Sequence, residues 1–265
     1  MAVQKTEAHL LRRIPFRETS WIFTCLTRSF GKLKGIVKGA RKEKSLWLSS
    51  CELFTRANMI FFEKPKSNLH LITELAILDS HEKLRRNFSA LAYAGYFAEL
   101  VDQFLEENEP QPAIFELWGA SASVLESRPT SAFAVLARAF ETQLLGALGL
   151  LPRFLECMGC GARAESARRI YFNARQGGIY CAMCHEKACG GLLISRGCVQ
   201  AIQFLSQSNI QKAAQLRLGR QISAELEQVI KQFMDYRLEH QLKSVKFLTA
   251  VKPILHQKNY VSIGK

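Results

Sequence analysis

Short hydrophobic runs, interrupted by polar and turn-forming residues, fill the first part of the chain, up to about residue 80. These runs are rich in β-branched and aromatic residues, which predicts β-strands. Turn sequences such as Phe30-Gly31-Lys32 separate several of them. The predicted strands span residues 7–13, 20–27, 32–38, 51–63 and 69–78. Five short strands favour a small closed barrel of the OB type, with an SH3-like barrel or a small sandwich as alternatives.

After residue 80 the hydrophobic residues recur with the period of an α-helix. This pattern begins near Leu84 and continues to Phe104, and Pro110 and Pro112 are expected to end the helix. Further helices are predicted over residues 113–125, 131–148, 195–205 and 219–248. We therefore expect an α+β fold, in which an N-terminal five-stranded OB-type β-barrel (residues 1–80) precedes an α-helical domain (residues 81–265). The helical domain contains an insertion at residues 153–193.

Charge is distributed unevenly along the chain, whose net charge is +13. Residues 1–80 hold 14 basic and 7 acidic side chains, residues 81–150 hold 5 and 9, and residues 151–265 hold 17 and 7. Two basic regions around an acidic one indicate a polyanionic partner, with improved solubility as the alternative interpretation. No apolar run is long enough to cross a bilayer, and Arg12 and Arg13 interrupt the N-terminal apolar stretch. We therefore expect a cytoplasmic protein without a membrane span or a signal peptide.

Four cysteines in the insertion have the spacing of a metal site: Cys157-x-x-Cys160 and, after 20 intervening residues, Cys181-x-x-Cys184. Two such pairs complete a tetrahedral sulfur shell, which Zn²⁺ fills without redox chemistry. With four thiolate ligands the ion has no open position for substrate, so the predicted zinc is structural, and the insertion is a zinc ribbon. A redox-active cysteine pair is one alternative. Covalent haem attachment through the pair that precedes His185 is the other.

Seven basic residues cluster between residues 28 and 44, against the single acid Glu43. Lys32, Lys34 and Lys38 are expected on one face of a strand, with Leu33 and Val37 pointing into the barrel. OB barrels hold single strands on such faces. The candidate DNA contacts are Arg28, Lys32, Lys34, Lys38, Arg41, Lys42 and Lys44. Three nearby aromatic residues are candidates either for stacking on bases or for core packing: Trp21, Phe30 and Trp47.

The chain contains none of the phosphate-binding, nucleophile-elbow, zinc-protease or dinucleotide motifs that mark common enzyme classes. We therefore expect a protein that binds nucleic acid without catalysing a reaction. An RNA-binding factor and a zinc-stabilised scaffold for protein interactions remain alternatives, because OB barrels and zinc ribbons also bind RNA. The C-terminal lysines Lys243, Lys246 and Lys252 are either ligand contacts or part of a solvated helix face.

Two segments of the first domain, together with the order of the parts, resemble the RecO family of bacterial DNA repair proteins. These segments are Thr27-Arg28-Ser29-Phe30-Gly31-Lys32 and Val37-Lys38-Gly39-Ala40-Arg41-Lys42, the second followed by Ser45. The resemblance covers essentially the whole chain. It implies a recombination mediator that binds single- and double-stranded DNA, anneals complementary strands and contacts the acidic C-terminal tail of single-strand-binding protein. It also implies that RecR is a partner with which the protein helps to load the RecA recombinase at gaps. By the same resemblance, the leading DNA contacts are Lys32, Lys38, Arg41 and Lys42, and the four cysteines bind zinc.

Overall fold

The computed structural model of the protein describes residues 2–43, 45, 47, 51–64, 67–188, 191–238, 242–248 and 250. The described residues form two compact units. The first unit comprises the residues up to Thr130 and those from Leu242 onwards, and the second comprises the residues between them. Within the described residues, no helix is both long enough and apolar enough to cross a membrane.

Five strands of the first unit close into a barrel in the order β1-β2-β3-β5-β4. Their bounds are β1 Val3–Phe16, β2 Ser20–Thr27, β3 Gly31–Val37, β4 Arg56–Phe62 and β5 Leu69–Asp79. The barrel closes through β1, because the first half of this strand pairs with β4 and the second half pairs with β2. A bulge between Leu10 and Arg12 bends β1 between the two pairings. This topology confirms the predicted OB-type barrel.

The barrel interior is filled by alternate residues of the strands. Leu33 and Val37 belong to this core, as the alternation predicted, and Phe23 and Phe61 are its largest fully buried side chains. Burial of one such aromatic ring stabilises a protein by about 1.5–3 kcal/mol. Cys25 and Cys51 are also in the core, where burial raises the pKa of Cys51 to about 12. Both are therefore unreactive packing residues.

Two strands differ from the sequence-based prediction by several residues. β1 is twice the predicted length, because Val3 pairs with Phe62 and Phe16 pairs with Ser20. β4 begins at Arg56 rather than at residue 51. Before it, Phe54 has a left-handed backbone (φ 68°), donates its N–H to the Leu10 carbonyl (2.7 Å) and packs against Trp118, with a ring-centroid distance of 5.8 Å.

Three helices follow the barrel in the first unit: α1 Glu82–Arg86, α2 Phe88–Phe104 and α3 Pro112–Ser127. The single helix predicted up to Phe104 is divided at Asn87, whose side chain accepts a hydrogen bond from the Ala90 N–H (3.1 Å) and caps α2. α2 ends before the two prolines, and Pro112 starts α3 at a position where a proline costs no hydrogen bond. The connection between α2 and α3 lies against β3, where the Asn108 N–H donates to the Lys32 carbonyl (2.8 Å).

The second unit consists of helices around a small sheet. The helices are α4 Phe133–Ala147, α5 Arg196–Gln207, α6 Ile210–Ala213 and α7 Arg220–Arg237. Between α4 and α5 the chain forms β6 Arg153–Cys157, β7 Ile170–Asn173, β8 Gly178–Cys181 and β9 Leu192–Ile194, in the sheet order β6-β8-β7-β9. α7 buries an apolar stripe formed by Leu226, Val229, Ile230 and Phe233.

The helix predicted over residues 219–248 is interrupted, since α7 ends at Arg237. A separate helical segment over residues 243–248 belongs to the first unit. Its first N–H groups, of Lys243 and Ser244, donate to the Glu99 carboxylate at 2.9 and 2.7 Å. A carboxylate at a helix N-terminus satisfies free N–H groups and interacts favourably with the helix dipole, so Glu99 ties this segment to α2. Lys252 lies outside the described residues.

Candidate functional site

The four cysteines of the insertion meet at one point. Their sulfur atoms all lie within 4.8 Å of one another, and those of Cys160 and Cys181 are 3.8 Å apart. Four sulfur atoms about 2.3 Å from a central Zn²⁺ lie about 3.8 Å apart in a regular tetrahedron. All four cysteines are free thiols rather than disulfides. The cluster therefore has the ligand type, number and spacing of a closed tetrahedral metal site.

The small sheet positions the cluster. Cys157 ends β6 and Cys181 ends β8, and because these neighbouring strands are parallel, both cysteines lie at the same edge. The chain then turns after each strand and brings back Cys160 and Cys184. Gly161 has a left-handed backbone (φ 73°), and a Cβ atom on Gly159 would lie 2.9 Å from the Cβ atom of Cys184. The first turn therefore depends on both glycines.

The electrostatics of the cluster favour a bound cation. Burial raises the pKa of Cys157, but the N–H groups of Cys181 (3.3 Å) and Gly159 (3.4 Å) donate to its sulfur and bring the pKa down to about 6. The pKa of Cys184 changes in the opposite direction. A side-chain hydrogen bond with the neighbouring Cys160 thiol raises it to about 12. Without a cation, the four sulfur atoms are therefore not all ionised at neutral pH. A divalent ion would remove this penalty by binding all four thiolates.

Lys32, one of the candidate DNA contacts, is not accessible to DNA. It is 7% exposed, and its ammonium donates to the Asp102 carbonyl and lies 3.3 Å from the Asp102 carboxylate. The expectation that Lys32, Lys34 and Lys38 form one accessible face is therefore wrong. Lys34 is half-exposed and pairs with Glu107 at 2.5 Å. Strand alternation pointed both side chains away from the core, but acidic residues of α2 and of the following connection cover that face.

Arg28 also pairs with acidic side chains of the first unit. Its guanidinium pairs with Glu116 (2.6 Å) and Glu7 (3.5 Å), and it lies 4.8 Å from the centre of the Phe115 ring. The neighbouring turn is fixed as well: Gly31 has a left-handed backbone, and a Cβ atom there would lie 2.0 Å from the Glu109 carbonyl oxygen. The segment from Thr27 to Lys32 thus joins the barrel to the helices that follow it.

The remaining candidate contacts lie together at the other end of β3. Lys38, Arg41 and Lys42 are exposed, whereas Lys44 lies outside the described residues. The Arg41 guanidinium donates to the Arg17 carbonyl (3.0 Å), which connects this loop to the turn between β1 and β2. A groove of about 480 Å³ opens here. Its lining includes Phe16, Arg17, Thr19, Lys38 and Lys42, and none of the described lining residues is a carboxylate. We call this feature the basic groove.

The aromatic candidates pack mainly against the barrel core. Trp21, Phe30 and Trp47 are each partly buried against it, and Phe30 makes an edge-to-face contact with Phe61 at 5.3 Å. Trp21 also contacts two cations, since the guanidinium carbons of Arg13 and Arg41 lie 5.0 and 5.2 Å from its ring centre. The core-packing interpretation therefore applies to all three residues, and base stacking on Trp21 stays a prediction.

Sequence reasoning missed Arg13 and Arg17 as neighbours of the candidate contacts. The available signal was the β1–β2 hairpin, which places the end of β1 opposite the start of β2 and thus beside the end of β3. It also missed Asp102, Glu107 and Glu116, which bind the basic residues of β3 and of the preceding turn. No local pattern indicates these pairings, because each joins segments that are distant in the sequence.

Replacing Lys32 with methionine tests the assignment of this lysine to the fold. We expect single-stranded DNA affinity to stay within about twofold, because the lost charge faces Asp102 rather than solvent. The free energy of unfolding should fall by about 1–3 kcal/mol, since removing one partner of a buried ion pair leaves the Asp102 carboxylate without its cation. Fluorescence anisotropy and chemical denaturation measure the two quantities. A large loss of DNA affinity in a fully folded variant would contradict the assignment.

Comparisons with known proteins cover nearly the whole chain. Residues 1–81 match the family model described as "Recombination protein O N terminal", and residues 85–246 match "Recombination protein O C terminal". The chain is 30% identical over 253 residues to "DNA repair protein RecO" of Symbiobacterium thermophilum. The alignment covers 95% of this chain and 99% of the relative. Two further proteins of the same name are also 30% identical to the chain. The alignment with the protein from Moorella thermoacetica covers 93% of this chain and 91% of the relative. The alignment with the protein from a Roseiflexus species covers 99% of this chain and 90% of the relative.

Proposed function

Since the chain belongs to the RecO family of DNA repair proteins, we propose that it is a recombination mediator that binds single- and double-stranded DNA and anneals complementary strands. With RecR as a partner, it would help to load RecA at gaps that are coated with single-strand-binding protein, whose acidic tail it contacts. It would act in the cytoplasm and without catalysis. The observation that carries this proposal is the basic groove, a cationic surface on an OB-type barrel.

The basic groove has the chemistry of a phosphate-tracking surface. Its cations Arg17, Lys38 and Lys42, together with Arg41, outnumber the acids Glu18 and Glu43 of the same loops. Lysine and arginine side chains bind the backbone of a single strand through its phosphates and release its counterions. Trp21 offers a flat ring beside this surface, and bases stack on such rings without sequence preference. We therefore assign the DNA contacts to Lys38, Arg41 and Lys42, with Arg28 and Lys34 available only where a phosphate displaces their acidic partners.

A second group of exposed cations supports the proposed annealing activity. The zinc-ribbon segment carries five exposed arginines: Arg153, Arg163, Arg168, Arg169 and Arg175. Annealing requires no nucleotide hydrolysis, but it requires that the repulsion between two phosphate backbones be neutralised while the bases stay free to pair. One strand at the basic groove and a second strand at these arginines would meet that requirement. This assignment places the second strand in a different unit from the first.

The cysteine cluster is assigned to structural zinc. Cys157, Cys160, Cys181 and Cys184 would hold the ion, and its contribution is to fold a short segment that has little hydrophobic core of its own. Four thiolate ligands leave no position at which the ion would bind water or substrate. We therefore assign no catalytic step to this site.

An annealing assay tests the proposed function. We expect the protein to accelerate pairing of complementary oligonucleotides that are coated with single-strand-binding protein. The variant Arg168→Glu/Arg169→Glu should lower the annealing rate at least about fivefold, because it repels the second strand, while single-strand affinity stays within about twofold. Stopped-flow fluorescence of labelled strands measures the rate.

The control variant Arg220→Glu/Lys231→Glu makes the same change in net charge on the exposed face of α7, in the same unit. It should anneal at the wild-type rate. Equal losses in both variants would show that only net charge matters and would overturn the second-strand site. No acceleration by the wild-type protein would overturn the mediator proposal, and tighter binding of matched RNA than of DNA would favour an RNA-binding role.

A further inference from the structure

A second group of metal-ligating side chains lies at the end of β5 and shares no residue with the cysteine cluster or the basic groove. Asp79 ends β5, His81 follows it, and Glu126 lies in the last turn of α3. The His81 Nδ1 atom is 2.9 Å from the Glu126 Oε2 atom and 3.6 Å from the Asp79 Oδ1 atom. The three possible ligand atoms lie within 4.8 Å of one another. Ligands about 2.1 Å from a divalent ion lie about 3.0–3.4 Å apart, so these separations suit one shared ion.

The backbone holds the three side chains in place before any ion binds. The His81 N–H donates to the Asp79 Oδ1 atom (2.9 Å), and the Leu84 N–H donates to the Glu126 Oε1 atom (3.2 Å). Both carboxylates are therefore held in fixed positions beside one imidazole. The nearby guanidinium of Arg56 is bound by Glu7, and that of Arg85 donates to backbone carbonyl groups.

An independent feature borders the same group. A cavity of about 280 Å³ is lined by His9, Asp79 and His81, with Phe115 and Ser123 on its α3 side. His9 is 1% exposed, and its Nδ1 atom has no hydrogen-bond partner within the described part of the chain. The cavity therefore leaves room for water molecules directly beside Asp79 and His81.

We propose that Asp79, His81 and Glu126 bind one divalent first-row cation and that its remaining ligands are water molecules in the adjacent cavity. One imidazole with two carboxylates favours Mn²⁺, Fe²⁺ or Ni²⁺ over Ca²⁺, which prefers oxygen ligands alone. The ion would connect β5 of the barrel to α3 and thereby stabilise the first unit.

Titration of the zinc-loaded, full-length protein with Mn²⁺ tests this site, with electron paramagnetic resonance to count the free ion. We expect one saturable Mn²⁺ per chain and a higher melting temperature in its presence. Asp79→Asn should weaken binding at least tenfold; Asp79 is exposed, and the asparagine oxygen still accepts the His81 N–H, so the fold is retained. Glu126→Gln should have a similar effect, because its amide oxygen still accepts the Leu84 N–H.

Glu82→Gln is the matched control, since Glu82 is an exposed acid of α1 that pairs with Arg86 outside the group. It should bind Mn²⁺ as the wild-type protein does. Absence of saturable binding by the wild-type protein would overturn the proposal, as would equal Mn²⁺ affinity of the wild type and Asp79→Asn. If Glu126→Gln does not fold, Asp79→Asn alone decides.

Discussion

Replacing Cys160 and Cys181 with serine is expected to abolish zinc binding and to unfold the segment between β6 and β9. Cys160 is exposed, so its side chain contributes little packing, and serine has nearly the same shape. A purely structural thiol at this position would therefore be replaceable at almost no cost. As a zinc ligand it is essential, because binding of structural zinc contributes about 10–16 kcal/mol of apparent free energy in small zinc domains.

Metal analysis and limited proteolysis measure the two effects of this substitution. The wild-type protein should contain one zinc per chain and resist cleavage at Arg168 and Arg169, whereas the variant should contain none and be cut there rapidly. Met183→Ser is the control, since Met183 is 88% exposed and lies between two of the ligands in sequence. It should keep zinc and protease resistance. Full zinc content in the double-serine variant would contradict the assignment of the site.

Reversing the charge of Lys38 and Lys42 should weaken single-stranded DNA binding by about tenfold or more at low salt. Each phosphate neutralised on a single strand contributes about 0.7 to the slope of log affinity against log salt. Loss of two contacts should therefore reduce the magnitude of the slope by about 1.4. Fluorescence anisotropy with a labelled oligonucleotide, measured across a salt series, gives both quantities.

The control for this experiment is Lys5→Glu/Lys83→Glu, which changes the net charge equally at two exposed positions of the same unit that do not line the basic groove. Its slope should match that of the wild-type protein. An unchanged slope for Lys38→Glu/Lys42→Glu would place the DNA site elsewhere. Lys32 is unsuitable for charge reversal, because a glutamate there would face Asp102 inside the fold and would lower stability for reasons unrelated to DNA.

Much of the fold was predictable from local pattern. β2 has the predicted bounds, residues 20–27, because it is rich in β-branched and aromatic residues and turns lie on both sides of it. The cysteine cluster was equally predictable, since the two short Cys-x-x-Cys turns each fix a pair of ligands locally and a β-hairpin brings the pairs together. The start of β4 was not predictable, because the left-handed backbone of Phe54 interrupts the extended conformation before Arg56.

The surface charges were harder to predict than the elements that carry them. The alternation of β3 correctly indicated that Lys32 points away from the barrel core. It does not indicate what lies on the other side, and the partner, Asp102, is 70 residues away in sequence. The same limit applies to the Asp79 group, in which Glu126 is 45 residues from His81. Pairings of this kind depend on how helices pack on the barrel, which no short sequence window contains.

The junction between Thr27 and Lys32 bears on how the chain can be shortened for experiments. A fragment that ends at residue 80 lacks Asp102, Glu109 and Glu116, so it would expose the buried Lys32, uncover Gly31 and release Arg28. Such a fragment would present cations that the intact protein conceals, and its affinity for DNA would overstate that of the native surface. The shortest fragment that retains these partners extends through α3, and measurements on the barrel require at least that length.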